Sequence, residues 1–141
     1  MLAMAETRVV RTLDVSPDAL WQCVRAFDDT PWVPGPPPTI RGRGIGVVRI
    51  FERPEGAIHE RLTSLDDSQR TLTYEIPIGI PFPVTAYAAK MVVSNDGGRG
   101  RLTWSCGFEP EPGASADEVA KGIQGAYEFM IGRIETLLNG R

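Results

Sequence analysis

Apolar positions in this chain repeat at two periods. From residue 6 to about residue 109 they mostly alternate with polar ones, the two-residue repeat of a strand with one wet face. From 119 to 138 they return every three or four residues, the repeat of an amphipathic helix. The alternating runs are 6–14, 46–53, 57–65, 70–76, 84–94 and 99–109. Turn-forming stretches separate the later ones: Pro54-Glu55-Gly56, Asp66-Asp67-Ser68, the apolar loop Pro77 to Pro83, and Asn95-Asp96-Gly97-Gly98. Strands this closely spaced predict an antiparallel meander.

Two helix starts are legible. Ser16-Pro17-Asp18 offers an N-cap, a proline at the first helical position and an acid near the positive end of the dipole. Leu20, Val24 and Phe27 follow at helical spacing, with Trp21 beside them. The next stretch, Asp28 to Gly44, holds Pro31, Pro34, Pro36, Pro37 and Pro38, so it reads as a loop or broken element anchored by Trp32 and Val33. Ser115-Ala116-Asp117-Glu118 has the form of a capping box. Val119, Ile123, Ala126, Tyr127, Met130, Ile131, Ile134, Leu137 and Leu138 then make one apolar stripe. The helix they define is ~30 Å long. Gly122, Gly125, Phe129 and Gly132 lie opposite the stripe, a low-profile face compatible with a monomer or a weak homodimer.

The simplest packing of these elements is an α+β fold in which a curved antiparallel sheet wraps the long C-terminal helix. The chain is read as one domain spanning 1–141, with its core over about 6–138. A curved sheet cannot close fully on a helix, so a cavity is expected between them. Alternation assigns its wall. Leu72, Tyr74 and Ile76 face in, as do Tyr87, Ala89, Met91 and Val93, and Leu102, Trp104, Cys106 and Phe108. An aromatic and aliphatic wall with a few polar groups is the usual make-up of a small-molecule site.

Glu60 is the exception on that wall. In Ala57 to Ser64, alternation puts Ile58, Glu60 and Leu62 on one face, with Ser64 possible beyond them, and His59, Arg61 and Thr63 on the wet one. A carboxylate among apolar neighbours needs compensation. Arg49 is a candidate partner, although Val47-Val48-Arg49-Ile50-Phe51 is apolar on both faces and leaves its direction open. Burial would raise the Glu60 pKa and a nearby Arg49 would lower it. In the first case Glu60 exchanges a proton near neutral pH; in the second it orients a hydroxyl. Arg49 or a tyrosine hydroxyl could steady a developing enolate.

Composition removes several other classes. The chain has 141 residues, 42% hydrophobic, with a formal net charge of −3, which disfavours nucleic acid. No apolar run approaches the ~20 residues of a membrane span. The start lacks a basic n-region and an apolar h-region, so no secretory leader is expected. Cys23 and Cys106 have no metal-ligand spacing and are expected to be buried free thiols in a reducing cytoplasm. There is no P-loop, dinucleotide fingerprint, H-E-x-x-H or nucleophile elbow. The single histidine, His59, falls on the outer face. Neither a metal nor a redox cofactor is expected.

Several stretches occur in a telling order: Trp32-Val33-Pro34, Gly46-Val47-Val48-Arg49, Glu60-Arg61-Leu62 before Asp66-Asp67, Tyr74-Glu75-Ile76, Pro83 to Tyr87, and Thr103-Trp104 to Phe108-Glu109-Pro110. The ordered set resembles the polyketide cyclase/dehydrase type of the START/Bet v1-like (SRPBCC) superfamily. The resemblance implies a helix-grip fold: a seven-stranded antiparallel sheet around a long C-terminal helix, with short N-terminal helices and a hydrophobic cavity. Members include cyclases, dehydratases, lipid carriers and plant hormone receptors. The Glu60 and Tyr87 positions resemble ligand contacts of those receptors. Their Ser-Gly-Leu-Pro gate is replaced here by Glu52-Arg53-Pro54-Glu55-Gly56, which argues against hormone sensing.

These readings converge on a site for a small hydrophobic or aromatic molecule. Glu60, Tyr87 and Arg49 are the candidate catalytic groups. Trp32, Phe51, Ile58, Leu62, Tyr74 and Val84 are expected to contact the ligand, with Ala89, Trp104, Phe108, Tyr127 and Met130 completing the set. Cyclisation or dehydration by acid–base chemistry is the expected activity, and non-catalytic carriage or sensing of a lipid-like or aromatic molecule is the alternative.

Overall fold

Seven strands and two helices make up the computed structural model, which describes residues 4–140. In chain order they are β1 (Ala5–Leu13), α1 (Pro17–Arg25), β2 (Thr39–Arg41), β3 (Val48–Phe51), β4 (Ile58–Asp66), β5 (Thr71–Ile78), β6 (Val84–Asp96), β7 (Arg99–Pro110) and α2 (Ala116–Leu138). The strands form one antiparallel sheet in the order β1-β7-β6-β5-β4-β3-β2. Only β1 departs from the meander: it pairs with β7, and the chain then crosses through α1 and the proline-rich loop to the opposite edge. This is the helix-grip fold, with α2 packed against β1 and β7 on the inner face.

Local chemistry accounts for the ends of the elements. Ser16 caps α1 by accepting the Ala19 N–H at 3.1 Å, with Pro17 just inside, where its missing N–H costs nothing. Ser115 caps α2 through the Glu118 N–H at 3.3 Å. The β6–β7 hairpin turns at Gly97 and Gly98, both at positive φ, with Asn95 Oδ1 accepting the Gly98 N–H. Asp66 and Asp67 divide the work of the β4–β5 turn. Asp66 accepts from Ser68 and Gln69 within the turn, while Asp67 accepts from the Trp21 indole at 2.9 Å and the Arg25 guanidinium at 2.7 Å, tying α1 to the sheet. The bonds from Arg25 and then Trp21 hold the Asp67 carboxyl below the usual range.

The inner face is as alternation predicts along β5, β6 and β7: Leu72, Tyr74, Ile76, Tyr87, Ala89, Met91, Val93, Leu102, Trp104, Cys106 and Phe108 are all buried. From α2 they meet Val119, Ile123, Tyr127, Ile131 and Ile134. Each such side chain contributes about 1.5–3 kcal/mol on leaving water. Polar bonds fix how α2 lies along β1: Gln124 Nε2 donates to Thr7 Oγ1 at 2.5 Å, and Arg11 pairs with Glu135 at 3.2 Å.

Four expectations change. The proline-rich stretch is not wholly loop, because Thr39–Arg41 pairs with β3 and supplies the seventh strand. One short N-terminal helix, α1, lies between β1 and β2, not several; donorless prolines leave residues 31–36 as turns and bends. Ser64 does not face inward. A β-bulge between Leu62 and Ser64 sets both Thr63 and Ser64 against Thr73 on the outer face, and turns Leu65 toward the core instead. Leu137, placed on the buried stripe, is 42% exposed, while Leu138 beside it packs against the core.

Candidate functional site

Arg49 and Glu60 are directly opposite each other on β3 and β4, which settles the direction the sequence left open. Side chains so paired lie on one face within reach of each other. Arg49 donates from Nε to Glu60 Oε1 at 2.7 Å and from Nη1 to the Phe27 carbonyl at 3.1 Å, and its Nη2 forms an ion pair with the same Glu60 oxygen at 2.7 Å. Its guanidinium carbon sits 3.8 Å from the centroid of the Phe27 ring. Arg49 is 3% exposed, so every part of its charge is met by protein. Glu60 Oε2, by contrast, has no donor among the described residues.

Beside this pair lies a half-open cavity of about 120 Å³ between the sheet, α2 and two loops. Its buried wall comprises Trp32, Phe51, Tyr74, Tyr87, Trp104 and Tyr127, with Arg49 at one end. Partly exposed residues (Val33, Arg53, Ile58, Glu60, Phe82 and Met130) define its mouth. The loop after β5 reaches this mouth because Gly79, at φ +78°, passes so near β4 that a Cβ there would stand 2.0 Å from the Ala57 carbonyl oxygen. The outer face of the sheet carries a larger depression, 840 Å³, but it is open and lined by short polar side chains such as Thr63, Thr73, Thr103 and Ser105. Such a surface cannot exclude water from a ligand, so the smaller cavity is the candidate site.

Aromatic stacking explains why the cavity is small. Trp104 and Tyr127 lie face to face, centroids 4.3 Å apart, and Trp32 stands edge-on to Trp104 at 6.1 Å. The hydroxyls of the three tyrosines form a relay. The Trp104 indole donates to Tyr74 Oη at 3.1 Å, Tyr74 and Tyr87 Oη are 3.4 Å apart, and Tyr87 is hydrogen-bonded to Tyr127. An indole can only donate, so Tyr74 accepts at that end and its own proton is free to point onward. Burial pushes all three hydroxyls well above the usual tyrosine range, with the Glu60 charge adding to the effect at Tyr74. At neutral pH they are therefore donors, not bases.

Two arginines position the loop that carries Trp32. Arg133 of α2 donates to the Trp32 carbonyl at 2.6 Å, and Arg53 donates to the Pro34 carbonyl at 3.2 Å. The Trp32 indole N–H is buried and has no partner among the described residues. Cys23 is half-buried and Cys106 buried; burial pushes the Cys23 thiol up to about 11 and raises Cys106 as well, so neither is a thiolate nucleophile. No group of potential metal ligands occurs among the described residues, and no helix there is long and apolar enough to cross a membrane.

Of the residues singled out from sequence, Arg49, Glu60 and Tyr87 line the cavity, as do Trp32, Phe51, Ile58, Tyr74, Trp104, Tyr127 and Met130. Leu62, Val84, Ala89 and Phe108 face inward too, but they are spent on core packing and do not reach it. Sequence reasoning passed over Arg53, and it left Val33, Ile76, Pro81, Phe82 and Ala126 out of the expected ligand contacts. Arg53 carried a signal: Arg49, Phe51 and Arg53 are successive members of one two-residue repeat, continued past the end of β3.

The chain matches the family described as polyketide cyclase / dehydrase and lipid transport over residues 4–139. Among solved structures it is similar to a protein from Bacillus thuringiensis, 28% identical, covering 95% of this chain and 98% of that one with a TM-score of 0.79. It is also similar to XoxI from Bacillus cereus, 29% identical, covering 96% of each chain with a TM-score of 0.78. Ara h 8.0201 shares the fold at 18% identity, covering 99% of this chain and 100% of that one with a TM-score of 0.78. No curated protein matches the sequence significantly. Fold, cavity and sequence match thus agree, and the chain belongs to the polyketide cyclase/dehydrase and lipid transport family of SRPBCC domains.

Proposed function

We propose that this domain binds a small apolar carbonyl compound, about one ring in size, and promotes proton transfer on it. The observation that carries this reading is the open Glu60 Oε2 on the wall of a cavity also lined by three buried tyrosines. Size follows from volume. An engineered cavity of about 150 Å³ takes a benzene, and pockets for drug-sized ligands run roughly 300–1,000 Å³. At about 120 Å³ the site suits one ring or a short branched chain, not a fused polycycle.

The chemistry divides between the two sets of groups. Glu60, held by Arg49 through Oε1, removes a proton from the carbon next to the carbonyl through Oε2. The C–H electron pair moves into an enolate, whose oxygen accepts a hydrogen bond from the Tyr87 or Tyr74 hydroxyl. Return of the proton to a different position gives isomerisation; attack of the enolate carbon on a second carbonyl in the same molecule closes a ring. The carrier reading rests on the tyrosine hydroxyls already bonding one another, which lets the site hold a ligand without reacting.

Acetophenone in D₂O separates the two. Its methyl protons exchange slowly without a base, and the exchange is read by proton NMR. Wild-type protein is expected to accelerate it, Glu60→Gln to abolish the acceleration, and Tyr87→Phe to reduce it by about 10²–10⁴-fold, with affinity for acetophenone retained in both variants. Binding without accelerated exchange in the wild type would establish the carrier reading.

A further inference from the structure

Charge at the cavity does not balance. Arg49 and Glu60 neutralise each other, and each nitrogen of the buried Arg49 guanidinium already faces Glu60 Oε1 or the Phe27 carbonyl. Arg53 also lines the cavity, with its guanidinium carbon 5.5 Å from the Phe51 ring centroid, and it has no acidic partner among the described residues. Its two protein hydrogen bonds go to neutral carbonyls, those of Glu52 at 2.8 Å and Pro34 at 3.2 Å. A guanidinium has five N–H donors, so three remain.

A residue of the same wall carries a second donor. The indole N–H of Trp32, a residue 4% exposed, has no partner among the described residues, and a buried donor left unmatched costs about 1–3 kcal/mol. Trp32 stands two residues before Pro34, whose carbonyl Arg53 holds. The unsatisfied cation and the unsatisfied donor are thus attached to one short stretch of loop. Among the described residues Glu60 supplies the only carboxylate on the wall, and its charge is already matched by Arg49 through Oε1.

We infer that the natural ligand is an anion: a single-ring or short-chain carbonyl compound that also carries a carboxylate, held by Arg53 at the mouth of the cavity. The inference rests on the cavity being the ligand site, as proposed above, and adds the charge of what enters it. Arg53 is then a specificity-determining residue. It favours the ionised ligand, and its bond to Pro34 couples that recognition to the position of the loop bearing Trp32. A carboxylate left at the mouth also keeps the apolar ring pointing inward, toward Glu60 and the tyrosines.

The test compares benzoate with acetophenone, two probes of similar size and shape that differ in charge, by titration of wild-type and variant proteins followed by NMR chemical shifts. Wild type is expected to bind benzoate more tightly, and Arg53→Gln to lose on the order of tenfold or more for benzoate while changing little for acetophenone. Arg43→Gln, which removes an exposed positive charge away from the cavity, is expected to leave the preference intact. Equal loss for both probes in Arg53→Gln would show that Arg53 is a loop clamp and overturn the inference. So would wild-type protein that binds acetophenone without preferring benzoate, an outcome that leaves the cavity reading standing. If neither probe shifts any cavity resonance, the cavity reading itself fails and takes the inference with it.

Discussion

Arg49 is met on three sides: by Glu60, by the Phe27 carbonyl and by the face of the Phe27 ring. A planar fork is needed to satisfy all three, and a lysine could not do so. Taking away one member of such a buried pair leaves the other uncompensated. Arg49→Met is therefore expected to cost about 3–5 kcal/mol, measured by urea denaturation. Glu60→Gln should cost less, since its amide oxygen can still accept from the guanidinium. A loss below about 1 kcal/mol for Arg49→Met would mean that water already reaches the pair. At this scale the sequence was informative about Glu60, because alternation flagged a carboxylate on an apolar face. It offered Arg49 as a candidate partner but left its direction open, because that strand is apolar on both faces, and only the register of β3 against β4 decided it.

Elements rather than single residues build the mouth. The segment after β5 closes on the start of β4 through Gly79, where positive φ and the nearby Ala57 carbonyl both exclude a side chain. Gly79→Ala is expected to push this segment outward, destabilise the fold by about 1–3 kcal/mol, and weaken acetophenone binding as Phe82 leaves the mouth. Thermal denaturation and probe titration check the two effects. An unchanged affinity would show that Phe82 does not cover the ligand. The strands and helices themselves were largely legible from two simple periods and a handful of caps and turns. Two features were not. The three-residue β2 is too short to show a period, and the bulge in β4 reverses the faces of Ser64 and Leu65, an extra residue that alternation cannot count.

For the whole molecule, the amount of empty space matters most. The aromatic wall fills its own cavity by stacking Tyr127 on Trp104, so the volume open to a ligand is set by how large side chains face each other. Tyr127→Ala is expected to cost about 3–5 kcal/mol, the usual range for removing a large buried ring. It should also admit 2-acetonaphthone, a two-ring ketone that the wild type excludes. Titration of both proteins with this probe checks the size limit; tight binding to the wild type would show that the cavity opens readily and that the ligand can be larger than one ring.

The sequence by itself determined the helix-grip plan and the inward placement of Glu60, Tyr74, Tyr87 and Trp104. Those follow from strand and helix periods, which are local and carried by consecutive residues. The tertiary structure alone decided that Arg49 neutralises Glu60, that four of the expected ligand contacts are core instead, that Arg53 stands at the mouth with no acid among the described residues, and that the cavity measures about 120 Å³. These depend on strand register, on a bulge and on aromatic stacking between residues such as Trp104 and Tyr127. They arise from distances between residues far apart in the chain, which no local pattern encodes.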